Sequence, residues 1–176
     1  MLKRKVLKET FFKPKKLYII RHAKSSWHIP NQKDFDRPLN NRGLNDAPKM
    51  GRRLFEKNII PELIISSAAK RAKTTAEIIA KEVNYPLDQI ILKKEIYLAS
   101  VESLINLINQ IDNQYSTVFL LGHNPTLTLL AEYLCDNTVG SLPTCGIIGI
   151  ELSVNNWKLV SSSCGIEIYF DYPKKE

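Results

Sequence analysis

The segment Lys16–Leu17–Tyr18–Ile19–Ile20–Arg21–His22 is an apolar, largely β-branched run closed by a basic pair. A continuous apolar run bounded by charges is the pattern of a parallel strand buried on both faces, with no wet side to alternate toward. Two later segments repeat the plan. Glu62–Leu63–Ile64–Ile65–Ser66–Ser67 is followed by Lys70–Arg71, and Val118–Phe119–Leu120–Leu121 by Gly122–His123–Asn124–Pro125. Each reads as strand, then basic residue, then helix. In open α/β sheets, ligands bind at the carboxyl ends of the strands. If these strands are parallel neighbours, Arg21, His22, Arg71 and His123 share one crevice. Two guanidiniums and two imidazoles at one point suit a tetrahedral anion.

The pattern extends outward from these segments. Ala23–Arg42 has no helical period and contains Pro30 and Pro38; it reads as a long loop, and such loops in compact domains are usually functional. Gly43 leads into a helix over Leu44–Lys57, with Ala47, Gly51, Leu54 and Phe55 on its inner face. Pro48 belongs in the first turn of that helix or kinks it. Pro61–Ser66 is the second strand. Ser66 or Ser67 can cap the helix whose apolar stripe is Ala72, Ala76, Ile79, Ala80 and Val83. Gln89–Leu92 is a short third strand, and Ser100 caps a helix running to about Ile111. Thr117–Leu121 is the fourth strand. Asn124 is suited to N-cap the next helix and Pro125 to begin it, and a helix N-terminus there favours a nearby anion. Gly146–Leu152 and Trp157–Ser162 alternate like a hairpin around Asn155–Asn156. The order implies an α/β fold: a three-layer α/β/α sandwich with a mainly parallel central sheet and an antiparallel edge.

The 176 residues, 44% of them hydrophobic, suffice for one domain with a sizeable core. We expect that domain over 16–176, preceded by a basic arm over 1–15. Residues 1–16 hold seven cations against one carboxylate, Glu9, so nearly all of the net charge of +7 resides there. The high isoelectric point therefore reports a basic arm, not a basic domain. Such an arm could touch nucleic acid, acidic lipid or an acidic partner. No aromatic interleaving supports nucleic acid, which is not an expected partner. No apolar run approaches the ~18–20 residues of a membrane span, and Thr10–Phe12 is too short for a signal-peptide core. Cys135, Cys145 and Cys164 form no Cys-x-x-Cys pair, which suits reduced thiols and a cytoplasmic location.

His22 is the candidate nucleophile, since a neutral imidazole can attack phosphorus and hold the phosphoryl group covalently until water removes it. Arg21 and Arg71 can clamp the non-bridging oxygens in a fork. His123 can donate a hydrogen bond where charge develops. No metal or other cofactor is expected, because no carboxylate or histidine cluster has ligand spacing. Singly, each feature is weak: Arg71 reads as a helix-surface cation and His123 as a structural histidine in a capped loop. All of them at strand ends, in this order, is specific.

These residues resemble a known family. Arg21–His22–Ala23–Lys24–Ser25–Ser26–Trp27 is similar to the Arg-His-Gly/Ala signature of the histidine phosphatase superfamily, also called phosphoglycerate mutase-like. Asp36–Arg37–Pro38–Leu39–Asn40–Asn41–Arg42–Gly43, Ser66–Ser67–Ala68–Ala69–Lys70–Arg71–Ala72 with Thr75–Ala76, and Gly122–His123–Asn124–Pro125 continue the likeness in order. It extends from Lys16 to about Pro173 and is nearest the small SixA-type phosphohistidine phosphatases. The resemblance implies that His22 accepts the phosphoryl group and that Arg21, Arg71 and His123 form the phosphate pocket. Ser25 and His28 are peripheral candidates for substrate contact, His28 standing where relatives often carry an asparagine. Ester-cleaving relatives place a carboxylic acid after the third strand. The candidates here are Glu95 and Glu102, of which Glu95 falls near that position without its usual surroundings. A missing acid suits a phosphoramidate, because imidazole leaves more easily than an alkoxide. The chain also lacks the long insertions that cover the pocket in larger relatives.

The expected activity is a metal-independent phosphatase with a phosphohistidine intermediate. The expected partner is a phosphorylated protein, such as a phosphorelay or phosphotransfer protein. Two alternatives stay open: a phosphomonoesterase acting on a small molecule (a sugar phosphate or nucleotide), and a non-catalytic module that binds phosphate or a phosphoprotein.

Overall fold

Lys15–Arg21 forms the first strand, β1, and it lies inside the sheet rather than at an edge. The structure is a computed structural model that describes residues 14–28 and 30–175. Among these residues one six-stranded sheet is formed by β1, β2 (Leu63–Ser67), β3 (Ile91–Lys93), β4 (Thr117–Gly122), β5 (Ile147–Leu152) and β6 (Gly165–Asp171). Their order is β3-β2-β4-β1-β5-β6. The β1–β4, β2–β4 and β2–β3 pairs are parallel, while β5 runs antiparallel to both β1 and β6. Four α-helices flank the sheet: α1 (Asn41–Glu56), α2 (Lys70–Glu82), α3 (Val101–Asn109) and α4 (Thr126–Cys135).

Alternate residues of the central strands feed two separate cores, as a pleat requires. Leu17, Ile19, Val118 and Leu120 pack with Leu104 and Ile108 of α3 and Leu127 and Leu130 of α4. Tyr18, Ile20, Phe119 and Leu121 pack on the other face with Ala47, Met50 and Leu54 of α1 and Ala76 and Ile79 of α2. Burial of each such aliphatic side chain is worth about 1.5–3 kcal/mol. The three-layer sandwich and its mainly parallel sheet follow. Among the described residues no helix is long and apolar enough to cross a membrane.

Register positions the functional end of the sheet. Arg21 pairs with Gly122 across β1 and β4, and Ser66 pairs with Leu121 across β2 and β4. The residues that follow, His22, Ser67 and His123, therefore emerge side by side at the carboxyl edge.

Several boundaries differ from the sequence expectation. Lys15 belongs to β1 and is buried, its Nζ donating to the Asn113 and Tyr115 carbonyls at 2.7 and 2.8 Å. Of the expected arm only Pro14 and Lys15 are described; the rest lies outside the described residues. α1 starts at Asn41, because the Asn40 side chain accepts from the Gly43 amide at 2.9 Å and caps it. Pro48 consequently lies within the helix rather than in its first turn. It gives no donor to the Leu44 carbonyl four residues back, and Leu44 lies on the exposed side, open to water. Met50 takes the inward place expected of Phe55, which is exposed.

Asn124 does not cap α4. Its side-chain amide donates to Thr128 Oγ1 and to the Leu142 carbonyl, and Pro125, joined to it by a cis peptide, occupies the cap position. The second arm of the expected hairpin is misplaced as well. Trp157–Leu159 is a 3-10 turn with Trp157 fully buried, its indole N–H donating to the Tyr115 carbonyl at 2.8 Å. The pairing strand is β6, further along. A large aromatic with a core to fill outweighed the alternation around it.

Candidate active site

His22 emerges from β1 into the first turn of the long loop and is held from several sides. Its amide donates to the Gly122 carbonyl at 3.2 Å, and its carbonyl accepts from Cys145 at 3.1 Å. Its ring Nδ1 lies 2.7 Å from the Ala23 carbonyl, and its Nε2 lies 3.2 Å from Arg71 Nε. A carbonyl and a guanidinium N–H leave one neutral tautomer that satisfies both: Nδ1 carries the proton and Nε2 the lone pair. Thr75, fully buried on α2, fixes the turn. Its hydroxyl accepts from the Ala23 amide at 3.0 Å and donates to the Arg71 carbonyl at 2.7 Å. Burial, followed by the Arg71, Arg21 and Arg37 charges, pushes the His22 imidazole down to about 4, against the raising effect of its bond to Ala23.

Arg71 stands in the first turn of α2 and points back over His22. Its Nη1 donates to the Asp34 carbonyl at 2.5 Å and its Nη2 to Asp34 Oδ2 at 2.9 Å. Asp34 lies in a 3-10 turn of the long loop, Asp34–Asp36. Its carboxylate also accepts from Arg37 Nη1 at 2.7 Å and from the Tyr97 hydroxyl at 2.7 Å. Arg37 is itself anchored to Ser25 Oγ and the Ser26 carbonyl, with Trp27 stacked 3.2 Å from its guanidinium carbon. Desolvation pushes the Asp34 carboxyl up, but hydrogen bonds from Tyr97 and Arg37 and the Arg71 charge hold it well below the usual carboxylate range.

His123 faces His22 with ring centroids 5.1 Å apart, and the Tyr97 ring meets its other side edge-on at 5.5 Å. Its Nε2 lies 2.8 Å from Ser67 Oγ. Burial above all, then the His22 and Arg71 charges, pushes its imidazole down to about 3. Arg21 donates from Nη1 to the Leu142 carbonyl at 2.7 Å. Among the described residues, the buried side-chain polar atoms without a partner are Arg21 Nε, His123 Nδ1 and Asn124 Oδ1. All three belong to the residues at this crevice. A buried unsatisfied group costs about 1–3 kcal/mol, and such atoms cluster where a ligand completes the bonding. The donors gathered here suit an anion; among the described residues no group of His, Cys, Asp or Glu is arranged to hold a metal.

The sequence-derived quartet Arg21, His22, Arg71 and His123 is thus brought together. The peripheral candidates are placed elsewhere. Ser25 is turned toward Arg37. His28 is exposed and lines a separate cavity of about 350 Å³ with Pro38, Asn40 and Arg42. Glu95 is a surface residue, its side chain 59% exposed and its carboxylate 3.5 Å from Lys93 Nζ. Tyr97, two residues on, reaches the site from that segment instead. Asp34, Arg37, Tyr97, Ser67 and Thr75 were not assigned from sequence. Arg37, Ser67 and Thr75 lie within the motifs quoted from the sequence, whereas Asp34 and Tyr97 lie outside them.

The family model of the histidine phosphatase superfamily, branch 1, matches residues 17–125. The chain belongs to the histidine phosphatase superfamily. Members of its SixA-type branch are among its structural neighbours, and this histidine phosphatase shares their phosphoglycerate mutase-like fold. The candidate phosphohistidine phosphatase SixA from Agrobacterium tumefaciens is 28% identical with a TM-score of 0.78, the match covering 91% of this chain and 99% of that one. The protein histidine phosphatase SixA complexed with tungstate is 21% identical with a TM-score of 0.77, covering 90% and 97%, and speaks for the fold alone. An uncharacterized chloroplastic protein of Arabidopsis thaliana is 28% identical over 152 residues, covering 82% of this chain and 69% of its own length. The protein is a phosphatase of this superfamily.

Proposed function

We propose that this histidine phosphatase removes phosphate from protein phosphohistidine, without a metal, through a phosphohistidine intermediate on His22. The observation that carries the reading is the His22 tautomer: Nδ1–H is tied to Ala23 and the Nε2 lone pair faces the basic crevice. Neutrality at physiological pH follows from the low imidazole pKa, and a neutral ring is the nucleophilic form.

The chemistry then runs in two steps. Phosphoryl binding draws the Arg71 N–H from Nε2 onto a phosphate oxygen, freeing the lone pair. Nε2 bonds to phosphorus as the P–N bond to the substrate imidazole breaks. The electron pair of that bond stays on the leaving nitrogen, and a ring protonated on its other nitrogen departs neutral. Water then attacks the phosphorus on His22. The P–Nε2 bond breaks, the pair returns to Nε2 and phosphate leaves. Arg21 Nε and His123 Nδ1, the donors without partners, stabilise the transferring oxygens. For His123 this uses the Nδ1–H tautomer, with Nε2 accepting the Ser67 hydroxyl.

The leaving group is an imidazole because no carboxylic acid is assigned to protonate an alkoxide. Glu95 lies at the surface against Lys93, and Asp34 is fully ionised among arginines. The likeness to the candidate phosphohistidine phosphatase SixA of Agrobacterium tumefaciens supports a phosphohistidine substrate. Three free cysteines suit a cytoplasmic setting.

The test is turnover, with EDTA present, of a phosphohistidine-bearing protein, p-nitrophenyl phosphate and a sugar phosphate. Wild type should cleave the first, His22→Ala should neither cleave it nor form a covalent phosphoenzyme, and Glu95→Gln should be unchanged. Efficient sugar-phosphate hydrolysis that Glu95→Gln abolishes would establish the phosphomonoesterase instead. Phosphate binding without any phosphoenzyme would establish a binding module.

A further inference from the structure

Arg71 has a fixed set of five N–H directions, and the loop takes two of them. A guanidinium presents five N–H groups along two usable edges: its end, Nη1 with Nη2, and its side, Nε with the near hydrogen of Nη2. Asp34 binds the end twice, through its own carbonyl to Nη1 and through Oδ2 to Nη2. The side edge is left pointing at His22, with Nε 3.2 Å from the nucleophilic nitrogen. A phosphorus bonded to Nε2 would carry its oxygens to that edge.

We propose that Asp34 is a positioning residue: it clamps the end of the Arg71 guanidinium so that the Nε edge is presented to the transferring phosphoryl group. The proposal rests on the reading that Arg71 binds that group. Asp34 is itself over-determined in a way that fits the role. Arg37 fixes Oδ1 and the Tyr97 hydroxyl fixes Oδ2. Arg37 is locked in turn by Ser25, Ser26 and the Trp27 ring. Tyr97 is wedged edge-on between Phe35 and His123, with centroids at 5.1 and 5.5 Å. Substrate-clamping groups need such support, since a misplacement of about 1 Å can cost about 10²-fold in rate.

The same contacts admit an opposite reading, in which Asp34 is an internal anion that competes with phosphate for Arg71. Geometry disfavours it. A competitor would occupy the edge that faces His22, whereas Asp34 occupies the other edge.

The two readings predict opposite signs. Inorganic phosphate binding is measured by calorimetry on wild type, Asp34→Ala, Arg71→Ala and the double variant, with phosphoramidate turnover alongside. Positioning predicts that Asp34→Ala weakens phosphate about 10-fold and slows phosphoramidate turnover up to about 10²-fold, and that it adds nothing once Arg71 is Ala. Tighter phosphate binding by Asp34→Ala, or losses that add fully in the double variant, overturn the proposal. Should Asp34→Ala fail to fold, Tyr97→Phe carries the test, with a smaller loss that also vanishes in the Arg71→Ala background. A wild type that binds phosphate but turns over no phosphoramidate removes the phosphatase reading, while the binding cycle still decides the role of Asp34.

Discussion

His22 and His123 are kept neutral by the fold, and that has a cost in acid. Their imidazoles are pushed down to about 4 and about 3, while in the unfolded chain they titrate near the ordinary ~6.5. Between those values the unfolded chain binds protons that the folded chain refuses. Stability therefore falls as pH is lowered from about 6.5 toward about 4, and rises again on the way back. Denaturant unfolding of His22→Asn/His123→Asn across pH 4–7 should show a flatter dependence than wild type. An unchanged slope would place the proton uptake on other groups. The quartet of basic residues was legible in sequence because Arg21, His22 and His123 stand at or just past the ends of apolar strands and Arg71 in the helix turn that follows one, so β1, β2 and β4 set its direction. Asp34 and Tyr97 were not. They reach the crevice through an aperiodic loop and a 3-10 turn, and nothing in residue spacing records where such segments fold back.

At the scale of elements, Gly43 ties the long loop to α1. The Lys24 backbone lies so close that a Cβ at this position would overlap its carbonyl, and the Asn40 amide donates to that same carbonyl at 2.9 Å. Alanine in a helix interior is ordinarily better than glycine by about 1 kcal/mol. Here backbone overlap outweighs propensity, and Gly43→Ala should destabilise by about 1–3 kcal/mol. It should also slow turnover, because the displaced segment leads directly from His22. Equilibrium unfolding and phosphoramidate kinetics on the same variant measure both; a stabilised, fully active protein would contradict the close packing. Existence and type of α1 to α3 could be read from apolar periodicity and of α4 from the Asn124–Pro125 start signal, whereas their ends were set by side chains. Asn40 moved the start of α1, and Thr128 with the Leu142 carbonyl drew Asn124 away from capping α4. Alternation misled only where Trp157 found a core and a carbonyl, so that a turn replaced a strand.

In the molecule as a whole, the sheet is assembled from distant parts of the chain. β1 is flanked by β4, in register Lys16 to Thr117, and by β5, in register Lys15 to Leu152. Non-local pairings of this kind close large loops before they return any energy, and folding slows accordingly. Stopped-flow refolding followed by tryptophan fluorescence should give a main phase in the range of milliseconds to seconds; a submillisecond phase with full amplitude would show that local structure governs the rate instead. The alternating βα order made the three layers visible in sequence, but strand order had to come from the structure, since the first strand pairs with neither of the next two. That placement has a consequence for synthesis. The nucleophile is synthesised before either flank of its strand, β4 (Thr117–Gly122) or β5 (Ile147–Leu152). Until β4 emerges, the nascent chain carries His22 without the second histidine or a partner strand, so the protein cannot acquire its reactivity before β4 has been made.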